Sequence, residues 1–382
     1  MSKLKVGIAG KRGLDFVAGF RALPQTEVVA FCEADAGVLE RHAARHEIPL
    51  RYGRFDAMLD AVDIVVVATP MQLHAPHALM ALQAGKHVLS EVPAAVSIEE
   101  CWRLHDAART ARTIYMMAEN YCYMRDNILI RAMARKGMFG ELYFGEGEYL
   151  HEVRNLHHAP DGSPTWRYYW QVGINGNTYP THSLGPVMQW FTDADPAERI
   201  EQVICVGTGR RTDPEHVTDD TTLMICRLAS GKLINIRLDM LSNRPHHMAY
   251  YALQGTAGAY EASRLPGQPG LIWLEKNKQG HHREWSSLED YAEHLPEFWK
   301  NPPIEAVKAG HGGGDFFEIF DFVNAICGEA PPAIDIHSSL EWTAAGLCSQ
   351  ISIANGGVPI AVPNFRDPVQ RPIILDAPPI VI

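Results

Sequence analysis

Short apolar runs separated by amphipathic stretches make up the first third of the chain. "LKVGIAG", "EVVAFCE", "DIVVVATP", "HVLSEVP" and "IYMMAEN" read as strands, and Ile64-Val65-Val66-Val67 has the unbroken β-branched character of a strand covered on both faces. Helical punctuation falls between them. Ser97 and Glu100 form a capping box ahead of "IEECWRLHDAARTAR", and Gly85 closes the helix carrying "HALMALQA". This alternation predicts a doubly wound α/β domain over residues 1–122, with its ligand crevice at the carboxyl ends of the strands.

From Tyr123 the period changes. A helix, "NILIRAMARKG", leads into longer alternating segments: "ELYFGEGEYLHE", "ERIEQVICVGTGR", "TTLMICRLASGKLINIRLDML" with a turn at Ser230-Gly231, and "MAYYALQGTAGAYEA". They predict a second, α+β domain over residues 123–382, built on a large and mostly antiparallel sheet. Residues 153–182 are too long for a simple connector, and their Trp, Tyr and His content predicts an ordered, functional loop. Helices are expected at about 314–327 and 337–353. A Pro-rich apolar tail follows from Val358, expected to pack on its own or a neighbouring subunit.

Composition narrows the ligand class. With 46% hydrophobic and 21% charged residues the 382-residue chain is an ordinary globular protein, and its net charge of −11 opposes nucleic acid and anionic membranes as partners. Seven scattered cysteines, none spaced C-x-x-C, read as reduced thiols. No export signal or membrane-length apolar run is evident, so a cytoplasmic protein acting on small molecules is expected.

Gly7, Gly10 and Gly13 in "GIAGKRG" follow a strand and precede a helix, where glycines allow a tight turn and a close approach to a pyrophosphate. The full G-x-G-x-x-G spacing is missing. Glu33 ends the second strand about twenty residues on, where an acid binds a ribose 2′-hydroxyl and repels a 2′-phosphate, which favours NAD. Lys11 and Arg12 cut the other way, since either could pair with a 2′-phosphate.

A second constellation lies in "NGNTYPTHSLGP", where Tyr179 and His182 are bracketed by Gly176, Pro180, Gly185 and Pro186. Such bracketing marks either an ordinary helix-capping turn or the wall of an active site. Metal binding is not expected. The pairs His157-His158, His246-His247 and His281-His282 are adjacent, so on a strand they face opposite ways, and no H-E-x-x-H or Cys/His cluster occurs. There is no G-x-S-x-G elbow, and nothing singles out two carboxylates for the paired-acid route of ordinary glycosidases.

With "ATPMQLH" (68–74) and "SEVPAA" (90–95) after the fourth and fifth strands, the chain resembles the Gfo/Idh/MocA oxidoreductases. Thr69, Pro70, His74, Glu91 and Pro93 match that family's cofactor-side motifs. Val92 stands where its dehydrogenases carry a lysine that helps handle the proton of the oxidised hydroxyl. Glu-Val-Pro-Ala-Ala is similar to the branch of NAD-dependent glycosidases known as glycoside hydrolase family 109, chiefly N-acetylgalactosaminidases. So are "AENYCY", "FGELYFGEGEYLHEVR", "GNTYPTHSLGPV", "GHGGGDF" and "ANGGVPIAVPNF", which span nearly the whole chain.

The resemblance implies a substrate pocket containing Glu119, Tyr149, Tyr179 and His182, with Trp166 and Arg167 lining the sugar site and His311 and Asp315 nearby. It also implies NAD as cofactor and a carbohydrate substrate, and it makes a homo-oligomer, dimer or tetramer, the expectation. Transient oxidation at the sugar C3 would acidify C2. Tyr149 is then the candidate for the C2 proton and His182 for the leaving group or incoming water, with Tyr179 assisting at C3 or orienting His182. A net sugar or cyclitol dehydrogenase is the alternative enzyme. A non-catalytic sugar- or nucleotide-binding regulator is the alternative of another class.

Overall fold

The computed structural model describes residues 2–245, 247–275, 284–367 and 369. By contact they gather into two units that interleave along the chain: the residues up to Lys136 with Ser287–Leu340, and Gly137–Ser286 with those from Glu341 onward. Residues 123–136 and 287–340 thus gather with the nucleotide-binding strands, across the sequential division at 122/123.

In the first unit, strands β1 (Leu4–Ala9), β2 (Thr26–Cys32), β3 (Leu50–Tyr52), β4 (Ile64–Val67), β5 (His87–Ser90) and β6 (Tyr115–Met117) form one parallel sheet in the order β3-β2-β1-β4-β5-β6. That is the Rossmann order, and the β-branched run of β4 is wholly buried at its centre. Helices α1 (Val17–Ala22), α2 (Ala36–Arg45), α3 (Phe55–Met58), α4 (His74–Gln83), α5 (Ile98–Thr110) and α6 (Arg125–Arg135) intervene. At the start of α5 the Ser97 hydroxyl accepts from the Glu100 amide (3.1 Å), while the Glu100 carboxylate accepts from the amide of Val96 (3.0 Å), one residue before the cap. Gly85 ends α4 at φ 69°, as its position after "HALMALQA" predicts.

Gly10 turns the chain between β1 and α1. Its φ is 91°, its amide donates to Cys32 (2.9 Å), and a Cβ there would stand 2.3 Å from the carbonyl oxygen of Ala68. No other residue fits both conditions. Chain continuation is through a 3₁₀ segment, Lys11–Phe16, before α1 begins.

The second unit is built on a nine-stranded sheet. Its strands are β7 (Leu142–Leu150), β8 (Ile200–Gly207), β9 (Thr222–Leu228), β10 (Leu233–Asp239), β11 (His247–Gly255), β12 (Gly258–Glu261), β13 (Leu271–Leu274), β14 (Ser286–Ser287) and β15 (Ile360–Ala361), in the order β14-β13-β12-β11-β7-β10-β9-β8-β15. From β13 to β15 pairing is antiparallel except between β10 and β7, which are parallel with Leu238 opposite Tyr149. The parallel pair arises because β8, β9 and β10 run as a meander that returns beside β7 after the long connection carrying α7 (Trp166–Trp170) and α8 (Thr181–Ala194).

Strand β7 alternates in burial. Gly145, Gly147 and Tyr149 lie on the buried face, whereas Glu146 and Glu148 are only half-buried. The glycines let α8 lie against the strand: a Cβ on Gly147 would meet the Ser183 carbonyl oxygen at 2.4 Å, and one on Gly145 would meet Val187 at 2.6 Å. The chain then returns through α9 (Glu297–Lys300), α10 (Ile304–Lys308), α11 (Gly314–Cys327) and α12 (Ile336–Ala354), the last two at the expected positions. The end of the tail, "APPIVI", lies outside the described residues, as do His246, His281 and His282. Among the described residues no helix is long and apolar enough to cross a membrane.

This packing generates a test. Gly147→Ala should lower stability by about 1–3 kcal/mol through overpacking against the first turn of α8. Gly53→Ala, where nothing lies within 4 Å of the added methyl, should change it little. Thermal denaturation of the two variants checks the difference.

Candidate functional site

Both units carry clustered polar side chains at the ends of buried elements. In the first, Glu33 follows β2 directly, and its carboxylate accepts from the backbone amides of Lys11 (3.2 Å) and Ala34 (2.9 Å). The glycine turn and the acid are therefore held side by side. A turn that admits no Cβ, with a carboxylate at the next strand end, fits the pyrophosphate and adenosine ribose of a dinucleotide.

Arg12 does not stand beside Glu33. Its guanidinium pairs with Asp15 and, through Nε, with Glu91 (3.1 Å) at the end of β5. Burial works against its charge, but Glu91, Asp315, Asp15 and Glu318 more than compensate, and Arg12 stays a cation. Lys11 gives Glu33 its backbone amide. Of the two basic residues weighed for a 2′-phosphate, Arg12 is committed to the carboxylates.

The Thr-Pro and Glu-Val-Pro segments are joined by His74. Its Nδ1 lies 2.8 Å from the Pro93 carbonyl and its Nε2 2.8 Å from the Thr69 carbonyl, while the Thr69 hydroxyl contacts His77 (3.1 Å). Burial pushes the His74 imidazole below its ordinary value. Both ring nitrogens are engaged by the fold, so His74 shapes the loops after β4 and β5. Pro70 starts the 3₁₀ turn that leads into α4. Val92, in the lysine position, is buried at 2% exposure and brings no charge.

Glu119 lies just beyond β6. It is wholly buried, and its carboxylate accepts from the Tyr121 amide (3.2 Å). Next to it Asn120 donates to Asp315 (2.8 Å) and lies 3.0 Å from His311 Nδ1, itself 2.9 Å from Asp315. His311 adopts φ 54°, a left-handed conformation rare outside glycine. Its hydrogen bond to Asp315 raises the imidazole pKa; burial would raise Asp315, but the bonds from His311 and Asn120 and the charge of Arg12 hold it below the usual carboxylate range. Glu318, one turn along α11, is fully buried, and burial with the charges of Asp315 and Glu91 pushes its carboxyl far up.

Tyr149, Tyr179 and His182 converge in the second unit. Ring centroids are 5.8 Å apart for Tyr149–Tyr179, 5.0 Å for Tyr149–His182 and 5.1 Å for Tyr179–His182. His182 sits in the first turn of α8, whose cap position, Pro180, supplies no side-chain bond. The Tyr251 hydroxyl donates to the His182 carbonyl (2.5 Å), and Ser349 accepts from the Asn177 amide (2.8 Å), so both ends of the turn are fixed. A fourth ring belongs with these three. His151 Nδ1 lies 2.6 Å from the Tyr149 hydroxyl.

Trp166 and Arg167 are on α7, with the guanidinium 4.4 Å over the indole and donating to Gln171 (3.0 Å). The structure therefore unites Tyr149, Tyr179 and His182 as one cluster, and His311 and Asp315 as another. Sequence reasoning passed over His151, Asn120 and Glu318. The signal for His151 was its two-residue spacing from Tyr149; for Glu318 it was the three-residue spacing from Asp315 on a helix.

Comparison with known proteins places the chain. Residues 4–119 match the oxidoreductase family with an NAD-binding Rossmann fold, and residues 123–222 and 211–368 match the glycosyl hydrolase 109 C-terminal domain. A glycosyl hydrolase family 109 protein of Shewanella amazonensis is 31% identical, over 96% of this chain and 86% of that protein. One of Streptomyces filamentosus is 32% identical over 95% and 78%. In fold the chain is similar to a levoglucosan dehydrogenase solved with NADH (TM-score 0.78, 19% identity, 95% and 100% covered). It is likewise similar to an NAD binding oxidoreductase from Klebsiella pneumoniae (0.79, 21%, 94% and 99%). Sheet order, glycine turn and the match over residues 4–119 give the chain the NAD-binding Rossmann domain of the oxidoreductase family. The chain belongs to glycosyl hydrolase family 109.

Two measurements follow from this geometry. Because the Glu33 carboxylate lies beside the glycine turn, NAD⁺ should bind at least about tenfold more tightly than NADP⁺, the cost of setting a phosphate against a carboxylate. Calorimetry that found NADP⁺ tighter would reassign Glu33 and give Lys11 its place. The second concerns the loop at 153–182, whose His157 is buried against His216, with ring centroids 4.9 Å apart. Burial pushes His157 down to about 4, with His216 and His158 adding repulsion, and lowers His216 despite Asp213. Both folded values lie below the ordinary imidazole value of about 6.5, so their stabilisation is complete above that pH and is lost as pH falls toward about 4. Melting temperature and protease resistance of the loop should fall over that window, and His157→Phe should flatten the change.

Proposed function

We propose that the protein is a redox-type glycosidase, cleaving a glycoside after transient oxidation of the sugar at C3. The observation that carries this reading is the convergence of Tyr149, Tyr179 and His182 on one side of the β7–α8 packing. A buried Val92 in the lysine position of the dehydrogenases supports it. When bound, NAD⁺ would supply reversible hydride transfer at the sugar C3, which would make the C2 proton acidic.

This chain's residues handle binding and protons. Gly10, Gly13 and Glu33 hold the dinucleotide, with the Thr69-Pro70 and Glu91-Pro93 segments forming the neighbouring strand ends. Tyr149 takes the proton from C2. His182 delivers a proton to the departing C1 oxygen and then draws one from the incoming water. Tyr179 hydrogen-bonds the C3 hydroxyl or steadies the His182 ring. Glu119, Trp166, Arg167, His311 and Asp315 are assigned to the sugar by the family resemblance. A homo-oligomer and a carbohydrate substrate belong to the same reading.

The experiment uses p-nitrophenyl N-acetyl-α-galactosaminide in heavy water with the NAD⁺-loaded protein. Released sugar should carry deuterium at C2, with no NADH accumulating in step with product. Tyr149→Phe and His182→Ala should each lower turnover by about 10²–10⁴ and leave NAD⁺ affinity unchanged, because both act on the sugar. NADH rising one for one with substrate, the glycosidic bond intact, would establish a net dehydrogenase instead.

A further inference from the structure

We infer that His151 is the positioning residue that receives the phenolic proton of Tyr149, making the pair a proton relay; this rests on the redox-glycosidase reading. Tyr149 is buried and points to the α8 side of β7. His151 comes two residues later, just past the end of the strand, with its backbone amide donating to the Asp239 carbonyl (2.8 Å). Side-chain alternation thus continues beyond the strand and brings both rings to one face. The imidazole Nδ1 lies 2.6 Å from the phenol oxygen, and the rings meet edge to face at 87° with centroids 5.3 Å apart.

A phenol titrates near 10 and is almost wholly protonated at neutral pH, so Tyr149 alone is a poor base for a carbon acid. A neutral imidazole behind it removes the obstacle. As the C2–H bond breaks, its proton goes to the Tyr149 oxygen while the original phenolic proton passes to His151 Nδ1. Tyr149 stays neutral and His151 becomes an imidazolium. The electron pair of the C2–H bond forms the C1–C2 double bond, and the C1–O bond breaks toward the leaving oxygen, which takes its proton from His182. The 3-keto group that permits the step comes from the NAD⁺-linked oxidation. For His151 to accept, its own proton must be on Nε2.

Among the described residues, the neighbouring elements bring the following groups to the pair. From α8 and the turn before it come His182 and Tyr179, whose rings contact Tyr149. From β10 comes Asp239, beside Tyr149's register partner Leu238; its carboxylate accepts from Thr221 and Leu241, and burial raises its pKa. Strand β11 sets the uncharged Ala249 opposite Tyr149. On β7 itself Glu148 alternates away from Tyr149 and is taken by Arg264, and beyond it Glu152 is held by Arg154.

The test has two arms. In the ligand-free protein, nitrogen-15 spectra of labelled histidine should show His151 with Nε2 protonated and Nδ1 unprotonated, and Tyr149→Phe should shift the Nδ1 resonance. A protonated Nδ1 at neutral pH would overturn the relay. In the second arm, C2 deuterium incorporation is followed with the NAD⁺-loaded protein and the same p-nitrophenyl glycoside. His151→Gln should slow it by about 10²–10⁴ at neutral pH, with substrate KM unchanged and cofactor reduction still visible in the first turnover. The lost rate should return about tenfold per pH unit toward a phenol's ordinary value near 10, because the unassisted phenolate then forms by itself. His151→Asn, run alongside, should behave the same way and guards against a folding defect in one variant. An unchanged rate, or a loss that does not vary with pH, would show that His151 only supports the strand end. Wild-type protein that incorporates no deuterium would remove the glycosidase reading and the relay with it; wild-type incorporation matched by both variants would remove the relay alone.

Discussion

The close approach of α8 to β7 is the constraint on which the ring cluster depends. Two glycines on the buried face of β7 bring the first turns of the helix within about a methyl group of the strand backbone. With any side chain at Gly147 the Ser183 carbonyl would have to move, and with it His182 one residue earlier. Tyr149, next on the same face, would lose its neighbour. The Tyr251 bond to the His182 carbonyl holds the turn from the β11 side, so the imidazole is placed by packing and by a backbone anchor rather than by its own capping.

Much of this architecture could be read from the chain. Unbroken β-branched runs with helices between them gave the parallel sheet, because residues buried on both faces leave no polar alternation. The helices at 314–327 and 336–354, the Ser230-Gly231 turn and the Ser97 cap are local features with local causes. What escaped the reading was set by pairing between distant segments. Nothing in either segment announces that β10 returns parallel to β7, or that residues 287–340 gather with the nucleotide-binding strands.

The candidate site divides in the same way. Tyr179 and His182 stood out because Gly and Pro bracket them, and Tyr149 only because its surrounding motif resembled a family. His151 was legible in principle from side-chain parity, yet it lies outside the strand, where parity carries no guarantee. Asn120 meets His311 across 191 positions and Asp315 across 195, a distance over which sequence spacing says nothing. The ion pairs of Arg12 were not legible either. A basic residue in a phosphate loop suggests an exposed cation, but buried carboxylates nearby claim its charge first.

Those carboxylates show how one element assigns different charge states to one chemical group. Asp315 lies in the first turn of α11, where the positive end of the helix dipole favours an anion, and it also accepts from His311 and Asn120. Glu318 lies three residues further along the same face, past the reach of the terminal amides and fully desolvated. With the Asp315 and Glu91 charges close by, a further anion would meet repulsion that Arg12 offsets only in part, so the Glu318 carboxyl is pushed up. One helix thus shifts two carboxyls in opposite directions, each according to its distance from the helix end and its hydrogen-bond partners.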